Sequence, residues 1–201
     1  MASGVFSRLH FRFDIANVLA DKCGLISGMI MKHLQLQAPA KLNLFLDVLG
    51  KRPDGYHTLK SVVVPVSLFD TITLEDRPQG IETLAPERLE LPGLDWPLEL
   101  CPAADNLVTR AAQRLRDATG YRGGARIVLE KHIPIGAGLG GGSSDAAAVL
   151  AGLNRLWGLG LGQDRLRVLG ASLGCDIPAF LCGGALCMEG VGELLTPLGR
   201  A

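Results

Sequence analysis

One stretch limits what this chain can fold into: Pro134-Ile-Gly-Ala-Gly-Leu-Gly-Gly-Gly-Ser-Ser-Asp145. It joins a strand-like run, 125–131, to a helix-like run, 146–157. Five of the seven residues from Gly136 to Gly142 are glycine, which loses more conformational freedom on folding than any other residue. A spacer alone is a poor reason for that cost. Such backbone turns freely, admits a ligand closely, and lets successive N–H groups form an anion-binding concavity. A helix behind it adds unpaired N–H groups and a partial positive charge. Ser143 and Ser144 add hydroxyls suited to a helix cap or to a phosphate. A phosphate cradle is the first expectation. The other reading is a tight turn with no ligand, which would need one or two glycines rather than five.

Known glycine loops narrow the choice. A P-loop places Lys-Ser/Thr after its last glycine, whereas Gly142 is followed by Ser143-Ser144. A dinucleotide fingerprint is formally present at Gly136, Gly138 and Gly141, but it needs an acidic residue at the end of a second strand. Asp164 stands at about the right distance and opens a helical pattern instead. The protein-kinase loop wants Val where Ser143 stands.

The rest of the chain reads in order. Positions 36–49 alternate, with Leu42, Leu44, Leu46 and Val48 on one face and Lys41, Asn43, Phe45 and Asp47 on the other. This predicts a strand that sets Lys41 beside Asn43. A turn over 50–55 leads to Tyr56 and His57, then to two predicted strands, 58–66 and 69–75. Residues 79–102 predict a short hairpin with a loop. Residues 105–120 predict a helix capped by Asp105 and ended by Gly120. A further helix is predicted over 163–173. Asp176 lies between apolar residues; its spacing fits an N-cap before Pro178, and a functional carboxylate is the alternative. Paired strands are predicted over 183–188 and 193–196.

Bulk properties exclude several classes. Two hundred and one residues suit one domain, or one plus part of another. At 48% hydrophobic residues a sizeable core is available. Twenty acids balance twenty bases, so nothing points to a nucleic-acid or membrane-surface partner. The five cysteines form no Cys-x-x-Cys pair, which argues against zinc and for free thiols in a reducing cytoplasm. No apolar run approaches the roughly 20 residues of a membrane span. Asp14 and Asp21 interrupt any signal-peptide core.

The run Pro-x-Gly-x-Gly-Leu-Gly-Gly-Gly-Ser-Ser-x-Ala resembles the ATP-phosphate loop of the GHMP kinase superfamily. Ala38-Pro-Ala-Lys-Leu-Asn-Leu-Phe-Leu46 with Arg52-Pro-Asp-Gly-Tyr-His57, and Leu173-Gly-Cys-Asp-Ile-Pro-Ala-Phe180 with Glu189-Gly-Val-Gly-Glu193, resemble the first and third motifs of its 4-diphosphocytidyl-2-C-methyl-D-erythritol kinases. The resemblance covers about residues 37–197.

It implies an α+β fold, the GHMP kinase N-terminal domain (ribosomal protein S5 domain 2-like), with the C-terminal GHMP domain largely absent. Residues 35–201 would be the ATP-binding, catalytic domain. Residues 1–34 would be an extension, disordered or preceding a true start at Met29 or Met31; the alternative is a genuine extension with a targeting role. The chain would then expose an apolar face and be poorly soluble.

The implied reaction moves the γ-phosphoryl of ATP to a tertiary hydroxyl of 4-diphosphocytidyl-2-C-methyl-D-erythritol, on the non-mevalonate isoprenoid route. ATP and Mg²⁺ are the implied cofactors. The implied catalytic pair is Lys41 and Asp176. The implied ATP site is Pro134, Ile135, Gly136, Ala137, Gly138, Leu139, Gly140, Gly141, Gly142, Ser143 and Ser144, with Asn106 and Lys131 near the adenine; capping and surface solvation explain those last two equally well. Asn43, Tyr56 and His57 are the implied substrate contacts, and no residue is assigned to the metal. The alternatives are another GHMP small-molecule kinase, acting on homoserine or mevalonate, a dinucleotide-dependent oxidoreductase, and a catalytically inactive ATP-binding fragment.

Overall fold

The computed structural model describes residues 33–51, 55, 57–89, 102 and 105–198, with short strands at 20–21, 24–26, 29–31 and 98–99. Tyr56 and most of the expected N-terminal extension lie outside the described residues.

Two long strands form the spine. β1 (His33–Lys51) and β2 (His57–Arg77) pair antiparallel along their whole length. Positions 58–66 and 69–75, expected as two strands, are thus one. The interruption read from the sequence is a bulge: Ala40 faces Val66 and Pro39 faces Phe69, leaving Ser67 and Leu68 unpaired. A bulge adds residues to one strand and bends it without ending it.

The second edge of β2 is shared. Its Thr71–Arg77 end pairs antiparallel with β4 (Gly124–Glu130), and its Leu59–Val63 end with β5 (Leu186–Gly190). Between these two strand partners the cleft opens, lined by Val63 and Pro65 of β2. β3 (Ile81–Leu84) runs parallel to β4 on its outer side, and β6 (Leu194–Pro197) closes the other end against β5. The hairpin expected within 79–102 is the Arg88–Leu89 pair with Leu98–Glu99.

Among the described residues four helices complete the fold: α1 (Leu107–Thr119), α2 (Gly141–Leu156), α3 (Gln163–Ala171) and α4 (Ile177–Cys182). The first turn of α2 reaches back into the glycine run, so the loop proper is 134–140. α1 and α2 pack on the lower half of the sheet. Leu34, Leu36 and Ala38 of β1, Ile72 and Leu74 of β2 and Ile127 of β4 meet Val108, Ala111 and Leu115 of α1 and Val149, Leu150 and Leu153 of α2. Gly152 is required there: a Cβ would lie 2.5 Å from both Leu36 and Leu74. Each buried aliphatic side chain contributes roughly 1.5–3 kcal/mol.

Above the bulge the covered face changes. The expected apolar face of β1 does not enter the core: Leu42, Leu44, Leu46 and Val48 are exposed, as are Phe45 and Leu49. Lys41 and Asn43, on the opposite face, are half-buried. Alternation fixes which residues share a face but not which face is covered, and here α4 sits over the polar one. A second cluster of Val63, Ala179, Leu186 and Met188 lies beneath it.

Candidate active site

The glycine loop is shaped by three left-handed residues. Gly136, Gly138 and Gly140 have φ of 72°, 73° and 69°, a conformation that costs other residues roughly 1–2 kcal/mol. Gly140 also has no room for a side chain: a Cβ would lie 2.9 Å from Phe180 and 3.1 Å from Lys41. It occupies the N-cap of α2, so no side chain caps that helix. The first amides of α2 are left as donors for an anion. Ser144 Oγ, also in that turn, is buried and unpartnered among the described residues.

A direct test of the loop follows. Gly140→Ala should cost about 1–3 kcal/mol. Gly142→Ala, exposed and with no neighbour nearer than 3.6 Å, should stay within about 0.5 kcal/mol. Urea melts of the two variants check this; equal losses would mean that the loop conformation is not the constraint.

Lys41 meets the loop directly. Its amide donates to the Leu139 carbonyl at 2.9 Å, stitching β1 to the loop. Its ammonium lies 3.8 Å from the Asp176 carboxylate and donates to Asn43 Oδ1 at 2.5 Å. Asn43 Nδ2 in turn donates to Ser61 Oγ at 2.6 Å, and Ser61 donates to the Phe45 carbonyl at 2.7 Å. This relay fixes the Asn43 amide orientation and aims the lysine. Asp176 occupies the N-cap position of α4, with Pro178 early in the helix, but its side chain makes no capping bond. The capping reading is corrected: φ −82° and ψ −17° are helical values, whereas a capping side chain needs extended backbone. The carboxylate is left facing Lys41.

Lys41 and Asp176 line an open cleft of about 420 Å³ with Pro39, Val63, Pro65, Phe180 and Met188. A mostly apolar cleft with one cation and one carboxylate converging in it suits a small substrate held at a single polar centre.

The remaining expected site residues sit apart from this pair. His57 is exposed at the far end of the β1–β2 hairpin, opposite Lys51. That is up to ~26 Å from Asn43 along the strand. Asn106, not Asp105, caps α1, accepting from the Val108 amide at 3.1 Å. Its helix start adjoins the cradle, since a Cβ on Gly142 would lie 3.6 Å from Leu107. Lys131 is not a solvated surface residue. Its side chain is 5% exposed and bridges Asp70 and Asp145, both buried. Burial works against its charge, but the two carboxylates outweigh that and raise its pKa. The sequence reading missed Ser61, Asp70 and Asp145. Local sequence marks none of them as buried: Ser61 follows Lys60, Asp70 alternates with apolar residues as a solvent-facing strand residue does, and Asp145 follows Ser143 and Ser144.

One rival reading, the dinucleotide fold, loses support here. The loop follows a strand antiparallel to its neighbour β2, and α2 leads to α3 rather than to a parallel strand. Asp164 is spent on an exposed ion pair with Arg167 at the start of α3. A dinucleotide fold needs the opposite on both counts. Among the described residues no three His, Cys, Asp or Glu side chains gather to hold a metal. No helix there is long and apolar enough to cross a membrane.

Comparison with known proteins gives the same picture. Residues 106–184 match the model of the GHMP kinases N terminal domain. The chain is 53% identical over 163 residues to 4-diphosphocytidyl-2-C-methyl-D-erythritol kinase of Paracidovorax citrulli, covering 81% of this chain and 53% of the relative. It is 48% identical over 169 residues to the enzyme of the same name from Symbiobacterium thermophilum, covering 82% and 55%. A crystal structure of 4-(cytidine 5'-diphospho)-2C-methyl-D-erythritol kinase superposes with a TM-score of 0.70 at 41% identity, covering 83% of this chain and 56% of that one. Mevalonate kinase of Methanococcus jannaschii, at 18% identity and a TM-score of 0.58, shares the fold. The chain spans about half the length of the curated relatives it matches.

Proposed function

We propose that this chain, which matches the GHMP kinases N terminal domain over residues 106–184, supplies the catalytic half of a kinase that phosphorylates the 2-hydroxyl of 4-diphosphocytidyl-2-C-methyl-D-erythritol with ATP. The observation that carries this is the convergence of Lys41 and Asp176 at 3.8 Å in one cleft, with the glycine loop joined to Lys41 through the Leu139 carbonyl. The uncapped start of α2 and the positive-φ glycines fit a triphosphate. Mg²⁺ supplies charge screening when it is bound with the nucleotide.

The chemistry is chiefly positioning and charge stabilisation. The α2 amides and the 134–140 backbone hold the β- and γ-phosphates. An acceptor hydroxyl in the cleft gives its proton to Asp176 as its oxygen bonds to the γ-phosphorus, and the bond to the β-phosphate oxygen breaks. Lys41 offsets the charge that develops on the acceptor oxygen, and Asn43 and Ser61 keep it aimed. His57, with Tyr56 before it, is assigned to the cytidine end, where a ring stacks on a pyrimidine and imidazole bonds its edge. Asn106 and Lys131 flank the nucleotide end.

The test is ADP release with this substrate, with mevalonate and with homoserine. It is run on residues 1–201 and on a chimera continuing into the remaining half of the Paracidovorax relative. The expected result is turnover of the first substrate alone by the chimera. The result for 1–201 decides between an active half and one that only binds nucleotide. A chimera that prefers mevalonate or homoserine would overturn the substrate assignment.

A further inference from the structure

Beneath the cradle lies a buried cluster that the transfer step leaves unused. Asp70 of β2, Lys131 after β4 and Asp145 in the first turns of α2 have side chains 0%, 5% and 2% exposed. Lys131 Nζ donates to Asp70 Oδ2 and, at 2.8 Å, to Asp145 Oδ2. Asp70 Oδ1 accepts the amides of His132 at 2.5 Å and Ile133 at 2.9 Å. The cluster therefore grips the chain immediately before the glycine loop and, through Asp145, the helix immediately after it.

Its charges do not balance. Two carboxylates share one ammonium away from water, and an uncompensated buried charge costs several kcal/mol. Such a pair relieves the cost by holding a proton. Asp70 Oδ1 is already taken up by two backbone amides. Asp145 Oδ1 has no partner. Its other oxygen shares the Lys131 ammonium with Asp70.

The cluster lies where a bound anion would be felt. A Cβ on Gly141 would sit 3.2 Å from Lys131 Nζ, so the ammonium abuts the first residue of α2. A polyphosphate at that helix start adds negative charge close to Asp145, in surroundings of low dielectric where like charges repel strongly.

We propose that Asp70, Lys131 and Asp145 position the glycine cradle, and that Asp145 takes up a proton from solvent as a polyphosphate binds there. This rests on the phosphate-cradle reading. The charged groups that meet Asp145 are Lys131 and Asp70; the His132 side chain beside them is exposed. In the free protein burial, aided by Asp70 and opposed by Lys131, holds the Asp145 carboxyl at about 7. It is therefore mostly ionised at slightly alkaline pH, with a proton still to gain.

The experiment is calorimetric titration of the whole chain with adenylyl imidodiphosphate at alkaline pH near 7.5, in two buffers of different ionisation enthalpy. The wild-type chain should take up about half a proton more per nucleotide than Asp145→Asn. Any protonation of the ligand itself cancels in that difference, and adenosine should show none. Equal proton uptake by two chains that both bind the triphosphate would overturn the coupling. No triphosphate binding by the wild type would overturn the cradle reading, and the coupling with it. Should Asp145→Asn fail to fold, the wild-type infrared difference spectrum decides. A protonated-carboxyl band gained on binding supports the proposal, and its absence overturns it.

Discussion

Replacing Asp176 with asparagine should lower kcat by about 10³-fold in the chimera that carries the full relative length, within the range general bases supply. Nucleotide affinity should change by less than about threefold, because the carboxylate is asked to take the acceptor's proton and not to hold the nucleotide. The variant should also fold. The Asp176 side chain makes no capping bond to α4, so the usual penalty for losing a cap does not apply. Asparagine matches its volume, and Lys41 keeps its bond to Asn43. Fluorescence titration with nucleotide, a thermal melt and an ADP-release assay check the three statements together. A variant that retains a tenth or more of wild-type turnover would remove Asp176 from the base role.

The sequence made part of this arrangement legible. The period of two in β1 sets Lys41 beside Asn43, and the glycine density predicts a backbone that approaches an anion. Neither tells that Asp176 comes to meet Lys41, because that contact depends on β2 having different partners at its two ends and on α4 covering the stretch between. Asp70 shows how tertiary context overrides local pattern. In Leu-Phe-Asp-Thr-Ile it reads as the solvent face of a strand, yet it is wholly buried because the segment after β4 folds its amides onto it. Leu42, Leu44 and Leu46 are the reverse case: apolar side chains left open, on a strand whose alternation is itself broken by a register shift between Asn43 and Phe45. Burial is decided by what lies across the sheet, and that is not written in any one strand.

Removing the cation of the buried cluster should have the largest effect on stability. Lys131→Met leaves the Asp70 and Asp145 carboxylates facing each other out of water, and breaking such a pair typically costs about 3–5 kcal/mol. Against a total of roughly 5–15 kcal/mol for a domain, that is enough to unfold a large share of the molecules. The loss should depend on pH, and its sign follows from Asp145. Burial pushes the folded carboxyl up to about 7 from its ordinary value of 3.8, so between those values the native state holds more protons than the unfolded chain. Stability from this group is therefore greatest at low pH and falls as pH rises through that window. Without Lys131, which lowers the Asp145 pKa, the window extends upward. The variant should be most defective near pH 8 and should approach the wild type near pH 5, where the proton replaces the missing cation. Adding Asp145→Asn to Lys131→Met should recover more than half of the loss at pH 8, because the remaining Asp70 carboxylate keeps its two backbone donors. Urea melts of the three proteins at both pH values provide the measurement. A single variant that loses less than about 1 kcal/mol at pH 8 would show a pair no stronger than an exposed one. A double variant no better than the single would show that the two acids do not share the lysine.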